Sequence, residues 1–170
     1  MTAFAADGFD NPSLDAICAA AGYTRGAFYV HFQDRDELIN AVGQRILGGL
    51  LDSTNRFDES PAAMNNLVER LFSQTAEDRG LPLYQFLHAA GRSPVLRKQY
   101  AETLDQAAEH IRDTTQFAQA RAGIRGDVDA AQLTWLLLAL TTGLQALSEV
   151  GAPVEAARVG QLVTYLLRRP

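Results

Sequence analysis

The chain has 170 residues, 47% of them hydrophobic and 21% charged, with a formal net charge of −5; this is an ordinary globular composition with enough length to bury a core, and it excludes disordered and fibrous classes. The single cysteine, Cys18, excludes an intramolecular disulfide, and neither a basic-then-apolar leader nor an uninterrupted apolar run of bilayer length is visible, so a reducing, cytoplasmic setting without a membrane partner is expected. The acidic balance, taken alone, weighs mildly against a nucleic-acid partner, and it persists in residues 1–52, where three arginines stand against seven carboxylates.

Strand-like alternation is nearly absent and helix punctuation is crisp, so an all-α fold is expected. Ser13 can cap a short helix over 13–21, which Gly22 ends. Thr24 can cap a second, to about Phe32. Asp34-Arg35-Asp36-Glu37 has capping-box spacing and opens a longer helix over 34–52. Further helices are expected over 60–78, 81–91, 94–122, 127–150 and 153–168, opened at Ser60-Pro61, Ser93-Pro94, Gly126-Asp127 and Gly151-Ala152-Pro153. The polar stretch 52–60 divides the chain into an N-terminal domain, 1–52, and a helical domain, 53–170.

The first two helices carry the most informative pattern. Leu14, Ile17, Cys18 and Ala21 share one face of the first; Phe28 and Phe32, at i and i+4, share the matching face of the second. Alanines at 16, 19, 20 and 21 permit close helix approach. Two short helices joined by a tight glycine-containing turn, AGYT, form a helix-turn-helix, which lays its second helix in the major groove of DNA. Cys18 reads as a buried hydrophobe, and Asp34, Asp36 and Glu37 read as caps and solvated surface; no metal site is expected.

Residues 13–42, SLDAICAAAGYTRGAFYVHFQDRDELINAV, resemble the DNA-binding domain of the TetR (tetracycline-repressor) family, especially its AcrR-like members. The resemblance rests on Ser13-Leu14, Ile17, Ala21-Gly22, Thr24, Gly26-Ala27-Phe28-Tyr29, His31-Phe32 and the Asp34 to Leu38 run. It implies roles by position. Thr24 would offer its hydroxyl and N–H to a phosphate at a helix start. Arg25 would read guanine O6 and N7. Gly26 and Ala27 would keep the groove-facing surface flat, the Ala27 methyl meeting a thymine methyl. Tyr29, His31 and Arg35 would bond phosphates, with Ser13 and Tyr23 as weaker phosphate contacts. In the family a full first helix bearing basic residues precedes the position of Phe9; only MTAFAADGF stands before Asp10, so that helix is expected to be shortened.

In the helical domain, Leu133, Leu136, Leu137, Leu140, Leu144 and Leu147 form one stripe and Trp135, Leu138, Thr142 and Gln145 another. A helix apolar over most of its circumference buries two faces, one on its own core and one on a partner. With Val159, Leu162, Val163 and Leu166 of the last helix, the residues Leu133, Leu137, Leu140, Leu144 and Leu147 are expected to build an isologous four-helix homodimer interface. The resemblance implies the same arrangement, and it implies a small, partly apolar effector held in the bundle. Candidate lining residues are Phe72, Phe86, Tyr100, Leu104, Phe117 and Trp135, with His88 and Gln145 as polar contacts, although aromatics at helical spacing are commonly plain core. Gly43, Gly48 and Gly49 suggest a hinge in the helix over 34–52.

No HExxH, ExxH, GxSxG, P-loop or GxGxxG pattern occurs, so neither an enzyme nor a cofactor is expected. The expected function is a sequence-specific regulator that binds a double-stranded, palindromic operator and is released from it by the effector. The competing reading is a ligand-binding or interaction module on the same fold that no longer binds DNA.

Overall fold

Among the described residues of this computed structural model (13–54, 60, 62–73, 87, 90, 91, 93–121 and 123–168), all regular structure is helical. The first stop-and-start is built by local hydrogen bonds. Ser13 Oγ accepts from the Ala16 N–H at 3.2 Å and opens α1, Leu14–Ala21. Gly22 then takes φ 72°, the left-handed conformation in which a side chain would be strained. Its N–H donates to the Ala19 carbonyl at 3.1 Å and the Tyr23 N–H to the Cys18 carbonyl at 2.9 Å, a Schellman stop. Thr24 Oγ1 accepts from the Ala27 N–H at 3.2 Å and opens α2, Arg25–His31.

Asp34 Oδ1 accepts from the Glu37 N–H at 2.9 Å, and the Glu37 carboxylate reaches back to the Gln33 N–H. This reciprocal cap opens α3, Arg35–Thr54. The helix runs unbroken through Gly48 and Gly49, where an added Cβ would meet nothing within 4 Å. It also carries past residue 52, the expected domain limit. α4 is Ala63–Ser73, α5 is Pro94–Ala120, capped by Ser93, α6 is Ala130–Glu149 and α7 is Ala156–Leu167. The helix expected over 81–91, the residues before Asp10, and residues 74–78 of the helix expected over 60–78 lie outside the described residues, apart from Leu87 and Ala90, which are helical, and Gly91, which is in a turn.

Two starts fall later than the sequence suggests. The Asp127 carboxylate is held by Arg125, with Nε to Oδ1 at 2.7 Å, so it is Asp129 that accepts the Gln132 N–H at 2.8 Å and caps α6. The Val154 N–H folds back to the Ala152 carbonyl at 2.7 Å, which keeps residues 152–154 out of α7.

The core has two parts. The larger joins α4, α5, α6 and α7 through Leu67, Val68, Leu71, Phe72, Ile111 and Leu137 among others. Thr115 and Thr141 are buried there and donate to the carbonyls of Ile111 and Leu137, each at 2.8 Å, so neither hydroxyl is orphaned. The smaller joins Ile17 of α1, Ile39 and Leu47 of α3, Ala90, and Leu96 and Tyr100 of α5. Leu104 packs against both parts. Through Ile17 the helix-turn-helix joins the cluster that α3 shares with the N-terminal half of α5. By length and composition alone, Ala130–Ser148 of α6 is apolar enough to cross a membrane, a test that the core helix of a globular protein also passes; one side of that helix lies in the larger core.

Candidate nucleic-acid interface

One side of α2 is held and the other is offered. Phe28 is buried, and its ring packs edge-on to Tyr29 at 5.2 Å and tilted against Phe32 at 5.4 Å. Arg25, Gly26, Tyr29, Val30 and His31 are exposed, as are Tyr23 and Thr24 in the turn before them. Tyr29 keeps 57% of its surface in solvent and Val30 78%, an apolar and aromatic load that a free surface gains nothing by carrying. A Cβ on Gly26 would make only an ordinary contact, 3.8 Å from Thr24 Oγ1. The fold therefore does not require a glycine at that position, whereas a surface that must lie close to another molecule does.

The structure leaves Tyr23, Thr24, Arg25, Gly26, Tyr29 and His31 exposed, on the turn and the short helix that follows it. Ser13 is exposed at the start of α1, and Ala27 and Arg35 are half-buried. The Ser13 and Thr24 oxygens already accept capping N–H bonds, but each hydroxyl hydrogen stays available as a donor to an anion. Sequence reasoning missed Val30, which has no polar signature, and Asp15, whose carboxylate Oδ1 lies 3.0 Å from Arg25 Nε across the turn. Three carboxylates of this region have partners within it, which leaves its net charge unchanged: Asp15 pairs with Arg25, and Asp34 and Glu37 accept capping N–H bonds.

The comparisons agree with this geometry. Residues 1–42 match the profile of "Bacterial regulatory proteins, tetR family". The HTH-type transcriptional regulator UidR of Escherichia coli (strain K12) is 28% identical over 152 residues, covering 84% of this chain and 74% of UidR. Among solved structures, Salmonella enterica GusR superposes with a TM-score of 0.75 at 25% identity, over 98% of this chain and 90% of GusR. The chain is thus similar to TetR-family regulators, in sequence over its N-terminal helix-turn-helix and in fold over nearly its whole length. It is a DNA-binding transcriptional regulator, all-α, with an N-terminal helix-turn-helix and a helical domain behind it. A TetR-family regulator from Thermus thermophilus, PfmR, shares the fold with a TM-score of 0.78 at 20% identity, over 97% of this chain and 92% of PfmR.

Among the described residues, the expected effector contacts are not gathered at one place. Phe72 is buried in the larger core and borders an open groove of about 380 Å³ with Asn65, Glu69, Gly160 and Arg168. Tyr100 is buried in the smaller core, where burial pushes its phenol pKa up. Leu104 bridges the two cores. Phe117 is half-buried beneath Arg121, whose guanidinium carbon stands 4.5 Å from the ring centre, and Gln145 is half-buried on α6. Trp135 is 47% exposed and faces an outer groove with Asp105, Glu109 and Arg112, so it does not line an enclosed cavity. Phe86 and His88 lie outside the described residues.

The expected interface stripe also divides. Leu133 and Leu137 are buried in the protomer's own core, and Leu140, Leu144, Val159 and Val163 are half-buried against it. Leu147, Leu162 and Leu166 are exposed, and with them Leu136, a member of the stripe outside the expected interface set, and Val150 and Tyr165, which neither includes. The reason is angular. Positions 133, 137 and 141 turn inward, so the outward face of α6 is carried by 136, 139, 143 and 147.

Proposed function

We propose that this protein is a homodimeric repressor that occupies a palindromic operator and leaves it when a small, partly apolar effector enters the helical domain. The observation that carries the reading is the surface of α2, which presents Arg25, Gly26, Tyr29 and His31 to solvent on a helix whose opposite side is pinned by Phe28. Arg25 reads a guanine edge in the major groove. Thr24, Tyr29 and His31 fix the register on phosphates, with Ser13, Tyr23 and Arg35 at the margin. The partner helices are α6 and α7, through the outward set Leu136, Leu147, Leu162, Tyr165 and Leu166; a dimer that reads a palindrome in this way holds its two recognition helices about one DNA turn apart.

Release follows from the two cores. Residues 1–52 act as the DNA-binding unit and 53–170 as the unit that dimerises and holds the effector. A ligand that displaces α5 near Leu104 also displaces Leu96 and Tyr100, which share a cluster with Ile17, Ile39 and Leu47. The helix-turn-helix is then re-aimed relative to its twin. The protein works in the cytoplasm, needs no cofactor and catalyses no reaction. No group of three metal-ligating side chains occurs among the described residues.

The test is selection from a randomised duplex library at low and moderate salt. The expected result is an enriched palindrome, lost on Arg25→Ala, bound with a steep salt dependence. The net charge of −5 favours one other reading, a family fold that has left DNA; absence of enrichment at every salt concentration would support it.

A further inference from the structure

Arg25 opens α2 and Asp15 stands in the first turn of α1. The glycine turn at 22 folds the two helices together, so that Arg25 Nε and Asp15 Oδ1 lie 3.0 Å apart. Both side chains are more than half exposed, at 59% and 68%, and an exposed pair of this kind adds only ~0.2–1 kcal/mol to a fold. The consequence of the pair therefore lies in what Arg25 presents.

A guanidinium has five N–H donors in a rigid plane, one on Nε and four on the two terminal nitrogens. Guanine offers two acceptors on its major-groove edge, O6 and N7. A carboxylate on Nε occupies the side edge of the fork. The end edge of the fork, with one N–H on each terminal nitrogen, is left for O6 and N7 together. It also restrains a long side chain that would otherwise sample many rotamers, and the rigid fork loses less entropy per bond once it is held. The same negative charge repels phosphates, so a complex in which Arg25 drops onto the DNA backbone is disfavoured. Residue 15 thereby works against the wrong contact as well as for the right one.

We infer that Asp15 is a positioning residue that determines specificity: through Nε it sets the Arg25 guanidinium for a guanine and discourages sequence-independent binding. The inference rests on the reading of Arg25 as the base-contacting residue. It also accounts for a carboxylate in the helix-turn-helix of a protein that binds a polyanion.

The experiment uses the full chain as wild type, Asp15→Asn, Asp15→Ala, Arg25→Ala and the Asp15→Ala/Arg25→Ala double variant. The probes are the palindrome recovered from the random library by the wild type, that palindrome with each G·C pair replaced in turn, and a scrambled duplex of the same composition. Without the carboxylate, affinity for the scrambled duplex should rise about 2–5-fold, while discrimination at the Arg25-dependent G·C pair falls about 3–5-fold. Asp15→Asn, which keeps an accepting oxygen, should recover part of that discrimination. In the Arg25→Ala background, removing Asp15 should change all duplexes alike. Unfolding midpoints matching the wild type would separate these effects from stability. An equal rise on the parent and the substituted palindromes would overturn the positioning role and leave Asp15 a repelling charge only. A palindrome indifferent to Arg25→Ala, or none recovered, would overturn the reading beneath the proposal and the proposal with it.

Discussion

Gly160 and Phe72 meet where α7 comes closest to α4: a Cβ on Gly160 would stand 3.0 Å from the Phe72 Cβ and 3.3 Å from its Cγ. The Phe72 Cβ cannot swing away as a side-chain tip can, because it is fixed by the backbone of α4. Gly160→Ala gains helix propensity of ~1 kcal/mol but overpacks the seam by ~1–3 kcal/mol. A net loss of up to about 2 kcal/mol in urea unfolding is expected. A stabilised variant would show that the two helices have room to part.

Gly26 presents the opposite case. Its absent Cβ would meet only Thr24 Oγ1 at 3.8 Å. Gly26→Ala should leave thermal stability unchanged or raise it by up to ~1 kcal/mol. Affinity for the selected palindrome should nevertheless fall, by about 5-fold or more, as a methyl group separates α2 from the groove and lengthens the Arg25 contact. Equal affinity for both proteins would mean that this surface does not lie close to DNA.

The two glycines mark what the sequence could and could not convey. Local chemistry was legible: Ser13, Gly22, Thr24, Asp34 and Ser93 mark helix ends where hydrogen bonds between near neighbours close them. The exposure of Tyr23 to Gly26, Tyr29 and His31 follows from the same local chemistry, since a glycine turn and one short helix carry them all. Relations across elements were not legible. Asp15 and Arg25 are joined by the angle of a turn, and the inward direction of Leu133 and Leu137 depends on how α6 is rotated against α5. A stripe read from periodicity gives an apolar face but not its heading. Trp135 was assigned to a pocket for that reason and faces outward.

Leu104 should couple the two cores, because it packs against both. Leu104→Ala is expected to cost about 2 kcal/mol, at the low end for a leucine that is only half-buried. Hydrogen exchange should accelerate in α3 as well as in α4. Leu71→Ala, confined to the larger core, should speed exchange in α4 and spare the α1–α3 region. Identical exchange patterns for the two variants would remove Leu104 from its bridging role.

Asp127 offers a pH test outside the DNA surface. The hydrogen bond from Arg125 holds its carboxyl at about 2, against an ordinary value of 3.8. A depressed carboxylate contributes stability that is fully present above the ordinary value and is lost as pH falls through the depressed one. Carbon-detected titration should place the Asp127 midpoint near 2, and Arg125→Gln should return it toward 3.8. Because both groups are solvated, unfolding at neutral pH should change little. A midpoint at the ordinary value in the wild type would mean that the pair does not persist in solution.

The outward face of α6 and α7 should be separable from the fold. Leu162 is 55% exposed, so Leu162→Glu removes little from the protomer's core. In an isologous interface the substitution occurs twice and sets like charges near one axis, where desolvation adds to repulsion. Sedimentation should show a monomer with unaltered helical content, and palindrome binding should drop by well over tenfold, since each half-site must then be held without its twin. A Leu133→Glu protein should instead fail to fold, because Leu133 is 3% exposed and lies within the larger core. If Leu162→Glu remained dimeric and bound the palindrome normally, the partner surface would have to lie elsewhere than on these two helices.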